Sequence, residues 1–546
     1  MAKKTSIWSW LLIGVIILIG SYLRLAHLDD PSFWVDEMNH VVVAQSILEG
    51  KGPVLPSNEV YDRSIIFTKL VSFSFRLFGN NEFAARFPSA LFGIFSIGLI
   101  IFIGSRLFEN NVAITTGLLY AFNPFMIGWA RECRMYSMFQ CFFLISIYAV
   151  YELFDGTKQS QTKNPPKSRV QNLIVDWNLN LMWLPLVIVS FLIAVSLHLL
   201  SGVLFPSLII YASSMIILFG IRNGWTNTLK SKYSFLVYAS ITIFFVIILI
   251  DSSLLAGITK SFLFAPNWAT QESMQDPFRY VKFLSSSFFI TLLIFSLLGI
   301  VAFFVKFHRQ GFYLLVNFIV PLVLLSTLFT LRMERYIYHI YPLMLFIAAY
   351  GLVEASCLLQ NQISKRIFVQ SKTGPFKQLF THAFLPAFIS LVLIMSPWFR
   401  FSRKIPDITY GTNGAVSHLE WREAANFVKI RLSDNDPIIS TLPLTVNYYA
   451  GNAEYYFLAS LENPRPNEVY RSPSGLRDTY NNSLVVDTVN DIEKIVENNS
   501  IGWIIVDTYR LERQRYVRPK VVEYIKAHLK CLYKTPGGTV EVYGWG

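Results

Sequence analysis

Residues 7–37 read IWSWLLIGVIILIGSYLRLAHLDDPSFWVDE. An apolar run from Ile7 to Leu23 gives way to a short polar turn and then to two adjacent carboxylates, Asp36 and Glu37. A run of that length approaches the ~20 residues with which an α-helix crosses a ~30 Å hydrocarbon core. Lys3-Lys4 precede it, as in a signal peptide, but no small-x-small cleavage pattern precedes the Arg24–Asp30 stretch, so the run is expected to remain as an anchor. The acidic pair then lies just past the first crossing, between Trp34 and the apolar Val41-Val42-Val43. Asp36 can serve there as the N-terminal acid of a helix beginning near Met38. A carboxylate beside apolar walls also holds a proton more readily, which suits a group that accepts a proton from an incoming hydroxyl.

The rest of the chain repeats the apolar signal. With 546 residues, 53% of them hydrophobic and only 15% charged, and a mean hydropathy of +0.43, this is an integral membrane protein; soluble chains carry about a quarter charged residues. Apolar runs near 7–25, 88–107, 112–130, 135–154, 182–200, 202–220, 234–254, 284–305, 312–331, 336–357 and 379–398 predict about eleven membrane helices. Lys158, Lys163, Lys167 and Arg169 fill one loop; Arg222, Lys230 and Lys232 fill another. Lys306 and Arg309 mark a third, and Lys365, Arg366, Lys372 and Lys377 a fourth. With Lys3-Lys4, these cations share one side if the N-terminus is inside and the C-terminus outside. The net charge of +12 is explained by that bias, which excludes nucleic acid as the expected partner. Cys133, Cys141, Cys357 and Cys531 have no paired spacing and form neither a zinc site nor a disulfide framework.

Three segments are expected outside. Residues 26–87 form a first outer loop whose stretches Val41–Leu48 and Ile65–Phe78 suit interfacial helices, and residues 255–283 form a second. Residues 400–546 follow the 1–399 membrane module with the composition of a water-soluble domain. Ser417–Leu432 reads as a capped helix with Glu420 three residues after Ser417. Strand-like runs at Pro437–Thr441, Leu484–Asp487 and Gly502–Asp507, helix-like runs at Val489–Asn498 and Pro519–Leu529, and a Gly537-Gly538 turn predict a small α/β domain.

Cations on the outer side run against the inside bias. Arg63, Arg131, Arg134, Arg332 and Arg335 all fall at outer helix ends. Snorkelling to headgroups is one use for them. Convergence on a phosphate, which guanidinium grips with two parallel hydrogen bonds, is the other. His198 ends an apolar helix on the same side, and Glu272 and Asp276 offer a second acidic or acceptor-binding element in the 255–283 loop.

The order of these elements resembles a family. Arg24 ends the first span, and Asp36-Glu37, Tyr61-Asp62-Arg63-Ser64 and Leu77 through Arg86 follow. Asn123-Pro124, Ala130-Arg131-Glu132-Cys133-Arg134-Met135-Tyr136, Glu334 through Pro342 and Trp421-Arg422-Glu423-Ala424-Ala425 complete the series. Together they are similar to the GT-C membrane glycosyltransferases, in particular the dolichyl-phosphate-mannose protein mannosyltransferases and the bacterial enzymes that modify lipid A. The resemblance implies a polytopic helical fold and a sugar donor on polyprenyl or dolichyl phosphate, used at the outer face of the cell membrane without a nucleotide. It implies Asp36 as the base, and Glu37 orienting the acceptor or fixing a neighbouring arginine. Arg63, Arg131, Arg134, Tyr136 and Arg335 are then expected at the donor phosphate. Arg63 stands where relatives have His or Lys before prolines, so the rigid Pro-Pro turn is missing here. No metal is required by the resemblance, although related oligosaccharyltransferases use one. Acceptor class, sugar and oligomeric state stay open. A transporter or flippase of polyprenyl-linked sugars is the competing class, but the internal halves typical of transporters are not visible.

Overall fold

The computed structural model describes residues 7–156, 177, 179–228, 230–250, 256, 276–285, 290–306, 308–367, 418–433, 435–451, 453–459, 468–514 and 516–546. The apolar run at 379–398, the cationic stretch at 158–169, Glu272 and Ser417 lie outside these residues. The chain divides into two compact units. One comprises Met1–Arg24, Ala90–Ala130 and Met135–Arg403, and the other Leu25–Ser89, Arg131–Arg134 and Lys404–Gly546.

The first unit is helical, and the chain is a multi-pass membrane protein. Among the described residues six helices are long and apolar enough to cross a membrane: Glu82–Leu107, Tyr136–Asp155, Leu199–Arg222, Lys232–Ile250, Arg309–Thr327 and Tyr341–Leu358. The helices Asn110–Phe122 and Pro124–Ala130 make a further span bent by 59°, and Ser9–Leu25, Leu181–Leu197 and Ile290–Val305 are shorter apolar helices. Each of these coincides with an apolar run expected from the sequence. Gly299 and Gly351 set one crossing: a Cβ at either would lie 2.1 Å from a carbonyl oxygen of the facing helix, Ile347 or Phe295. Small residues let such backbones approach closely where no hydrophobic drive holds helices together in lipid.

The bend has a covalent cause. Pro124 has no N–H and cannot donate to Tyr120, four residues back. Arg24 fills the gap: Nη1 donates to Ala121 O (3.0 Å) and Gly20 O (3.0 Å), and Nη2 to Tyr120 O (3.3 Å). The guanidinium also lies over the Tyr120 ring, 5.3 Å from its centroid. Asn123 starts the second helix by accepting from Met126 N (3.2 Å), while its amide donates to the Tyr341 hydroxyl (3.1 Å). Tyr120 O also accepts from Asn123 N (3.3 Å), so Arg24→Met should chiefly deprive the buried Ala121 carbonyl, at a cost of about 1–3 kcal/mol. The check is a drop in the thermal midpoint of detergent-solubilised protein, only partly recovered in Arg24→Lys; an unchanged midpoint would refute it.

At other helix ends, the buried Asp155 carboxylate gathers Lys232 (3.0 Å), the hydroxyls of Tyr211 (2.6 Å) and Tyr233 (2.8 Å), and Arg309. The ends of three helices and the middle of a fourth thus meet on one carboxylate, and the loop cations Lys232 and Arg309 lie on one side of the bundle.

The second unit contains an eight-stranded sheet built from β1 (Ile438–Ser440), β2 (Tyr455–Phe457), β3 (Val469–Ser472), β4 (Gly475–Asp478), β5 (Leu484–Val486), β6 (Gly502–Asp507), β7 (Lys530–Lys534) and β8 (Val540–Trp545). The strand order is β3-β4-β5-β2-β1-β6-β8-β7, with β5, β2, β1 and β6 parallel and the flanking strands antiparallel. Every residue of β6 is buried, as a central parallel strand requires. Ile439, Phe457, Val486, Ile504 and Val506 pack with Ile492 and Ile495 of helix Val489–Asn498 and with Val521 and Ile525 of helix Pro519–His528. Thr488 and Asp491 cap the first of these helices reciprocally. The helix expected over Ser417–Leu432 is shorter, Trp421–Lys429. Glu420 is drawn away from capping because its carboxylate accepts from Gly537 N (2.9 Å) and Thr539 Oγ1 (3.1 Å), at the turn before β8.

Candidate active site

Helix Val35–Leu48 begins at an extended Trp34 whose backbone N–H donates to Glu37 Oε2 (2.9 Å), so Glu37 closes its own N-terminus. The same carboxylate meets Arg86. Glu37 Oε1 accepts from Arg86 Nε (2.8 Å) and from Cys133 N (2.6 Å), and Oε2 from Arg86 Nη2 (2.8 Å). Arg86 completes its shell on backbone carbonyls, with Nη1 on Leu28 O and Pro31 O (both 2.9 Å) and Nη2 on Ser32 O (3.2 Å). The pair is 1% and 0% exposed. Burial alone would push the Glu37 carboxyl up, but Arg86, His418 and the Cys133 N–H hold it well below the usual carboxylate range. Glu37 is therefore an ionised, fully engaged anchor.

Asp36, its neighbour, is half-buried. Arg134 Nη1 donates to the Asp36 backbone carbonyl (2.6 Å), which leaves the loop position fixed from behind. Tyr61 links Asp36 to the basic turn. Its hydroxyl is pushed up chiefly by burial, and it also feels the charges of Arg134, Arg63 and Asp36. These three groups thus share one electrostatic neighbourhood. Arg63 is exposed, in a turn closed by Ile65 N on Asp62 O (3.2 Å) and by Ser64 in the left-handed region at φ 52°. In place of prolines, a strained serine turn presents this arginine. Arg131 is spent on the carbonyls of Ala26 (2.7 Å) and His27 (2.8 Å).

The C-terminal segment completes the surroundings of the acidic pair. His418 Nδ1 lies 2.7 Å from Ser32 O and its Nε2 2.9 Å from Glu132 Oε1. Arg422 donates to Asp29 O (2.9 Å), Asp30 O (2.6 Å) and Glu82 Oε1 (3.0 Å), and the Tyr449 hydroxyl accepts from Phe33 N (2.9 Å). The loop leading to Asp36 is pinned along its length.

Glu37, Glu132 and His418 are the residues among those described whose donor atoms come within 4.8 Å of one another. As arranged they do not fit a divalent ion. Arg86 occupies both oxygens of Glu37, and both nitrogens of His418 already face oxygen atoms, so an ion would have to displace these contacts. The group is a buried hydrogen-bonded network.

The remaining expected site residues fall in the membrane unit. Tyr136 and His198 are neighbours, with ring centroids 5.8 Å apart, and Arg335 lies over Trp129 and Tyr336 at 6.0 and 5.8 Å. Asp276 caps Phe278 N (2.9 Å) and pairs with Lys282 (2.5 Å), which makes it a local helix-start residue; Glu272 lies outside the described residues. The sequence reading passed over Arg86, Glu132, His418 and Arg422 as functional groups. Three of them sat inside quoted motifs, but His418 and Glu132 are 286 positions apart and no local pattern pairs them.

Comparison with known proteins bears on the fold. Residues 62–162 match the model of the dolichyl-phosphate-mannose-protein mannosyltransferase family. An uncharacterised protein of Aquifex aeolicus is 25% identical over 155 residues, a match that spans 28% of this chain and only 30% of that relative. ArnT from Cupriavidus metallidurans superposes in its apo state with a TM-score of 0.58 at 11% identity, over 98% of this chain and 97% of that one. The same protein bound to undecaprenyl phosphate gives 0.56 at 12% identity, over 98% of each chain. The archaeal oligosaccharyltransferase AglB from Archaeoglobus fulgidus, in complex with an inhibitory peptide and a dolichol-phosphate, gives 0.57 at 11% identity over 98% of this chain and 74% of that one. The chain thus has the GT-C fold that it shares with ArnT and AglB, and its residues 62–162 match the dolichyl-phosphate-mannose-protein mannosyltransferase family model.

Proposed function

We propose that the protein is an inverting glycosyltransferase that moves a sugar from a polyprenyl- or dolichyl-phosphate donor to an acceptor hydroxyl at the outer face of the cell membrane. One observation carries this reading: a half-buried Asp36 stands on a Glu37–Arg86 pair that is saturated with hydrogen bonds, with Arg63 and Arg134 in the same electrostatic neighbourhood. A base and a phosphate-binding pair are what such a displacement needs. Solved relatives of this fold hold undecaprenyl phosphate or dolichol-phosphate, which supports a lipid-phosphate donor.

In the proposed step the acceptor oxygen forms a bond to C1 of the sugar as the C1–O bond to phosphate breaks on the opposite face. The hydroxyl proton passes to an Asp36 carboxylate oxygen. The electron pair of the broken bond stays on the lipid phosphate, and Arg63 with Arg134 meets the added charge, so no general acid is required. Glu37 keeps its own proton off and holds Arg86 and the helix start in place. The reading needs no metal. The acceptor is a surface glycan, a lipid-linked saccharide or a protein.

Arg63→Ala should lower kcat/KM for the donor about 10²-fold, with Arg63→Lys recovering part of the loss. Steady-state kinetics with a labelled polyprenyl-phosphate sugar measure this. Unchanged donor kinetics in Arg63→Ala would remove Arg63 from the phosphate site.

A further inference from the structure

His418 has no part in the transfer chemistry proposed above, yet it is buried at the centre of the acidic group. Its side chain is 7% exposed. Nδ1 faces the carbonyl oxygen of Ser32 (2.7 Å), which can only accept, so Nδ1 carries a hydrogen. Nε2 faces the Glu132 carboxylate (2.9 Å), which accepts in turn, so Nε2 carries one as well. Charged groups face the ring from three other segments. Glu132 faces it from the 131–134 turn, Glu37 from helix Val35–Leu48 (Oε2 at 3.9 Å from Nδ1), and Arg86 from helix Glu82–Leu107. On its own side, Arg422 N donates to Ser32 Oγ (3.1 Å), which donates to Glu423 (3.2 Å).

The charges add to a definite result. Two carboxylates and one guanidinium leave a buried negative charge that a second proton on His418 cancels. An uncompensated buried charge is costly, so the pair resists losing that proton. Burial pulls the imidazole down, but Glu132, seconded by Glu37, lifts it above its ordinary value against the repulsion of Arg86. The Ser32 carbonyl is also held by Arg86 Nη2 (3.2 Å). Two cations therefore grip the one carbonyl that lies four residues before Asp36.

We propose that His418 is a positioning residue: as an imidazolium donated by the C-terminal domain, it ties Glu132 to Ser32 and so fixes the loop that carries Asp36. The group is raised in the folded state, so its contribution is complete below the ordinary histidine value of 6.5 and is lost as pH rises through the raised folded value. The catalytic consequence rests on the proposed transfer reaction; the protonation itself does not.

Two measurements separate them. In the full-length protein with ¹³Cε1-labelled histidine, the His418 resonance, assigned by its absence in His418→Asn, should stay in the doubly protonated form to higher pH than exposed histidines. Glu132→Gln should bring its titration down. In transfer assays, kcat should fall on the alkaline side in step with that titration while donor KM moves less than about twofold. Glu132→Gln should shift this limb to lower pH, and His418→Asn should lack it and run about tenfold slower at pH 7. A His418 that titrates with the exposed histidines, or an alkaline limb unmoved in both variants, overturns the proposal. If no variant nor the wild type transfers sugar, the function falls, and amide exchange at Trp34 and Cys133 still decides the inference. Faster exchange in Glu132→Gln supports it and unchanged exchange overturns it.

Discussion

Asp36→Asn is expected to lower kcat by about 10²–10⁴-fold, the usual contribution of a positioned general base, and to leave donor affinity within about twofold of wild type. The replacement keeps the shape of the side chain and removes its negative charge together with its capacity to take a proton. Arg134 donates to the Asp36 backbone carbonyl, a contact the variant retains, so the loop should keep its place. Glu37 cannot substitute, although it is the next residue, because Arg86, Cys133 N and Trp34 N already occupy its oxygens. Single-turnover kinetics with donor binding measured in parallel check this. Turnover at the wild-type rate would take Asp36 out of the chemistry.

The second large effect is on stability. Removing one partner of a buried ion pair strands the other, at a cost of about 3–5 kcal/mol. Glu37→Gln and Arg86→Met should each show it, and the double variant should lose far less than the sum, because neither charge is then left uncompensated. Denaturation of the four proteins in one detergent measures the cycle, and strict additivity would contradict the coupling. The same pair sets an acid limit. Glu37 is held below its ordinary value in the folded state, so its contribution is complete above about pH 4.5 and is lost as pH falls through the depressed folded value. Unfolding of wild type below that pH should be steeper than that of Glu37→Gln.

Much of the membrane architecture was legible from apolar run length. The run at 112–130 was read at its right place, but its 59° bend at Asn123-Pro124 was not anticipated, although proline states the break in one residue. The end of the C-terminal domain's lead helix was misread because Glu420 answers Gly537 and Thr539, more than a hundred residues away, in preference to its own helix. The site divides along the same line. Asp36 and Glu37 were conspicuous as charges in an apolar setting, and Arg63 as a cation on an unexpected side. The partner that fixes Glu37 was not: Arg86 lies 49 positions on, in a stretch that reads as the start of a span. His418 carries no local pattern at all, since what gives it meaning is the convergence of three separate segments on one ring.

The most direct test of the central claim is the fate of the sugar–phosphate bond. Purified protein in liposomes, given a polyprenyl-phosphate sugar labelled in the sugar together with candidate acceptors, should release lipid phosphate in step with labelled product of inverted anomeric configuration. Label that crosses the bilayer with its bond to phosphate intact would contradict the account and make the protein a carrier of the lipid-linked sugar.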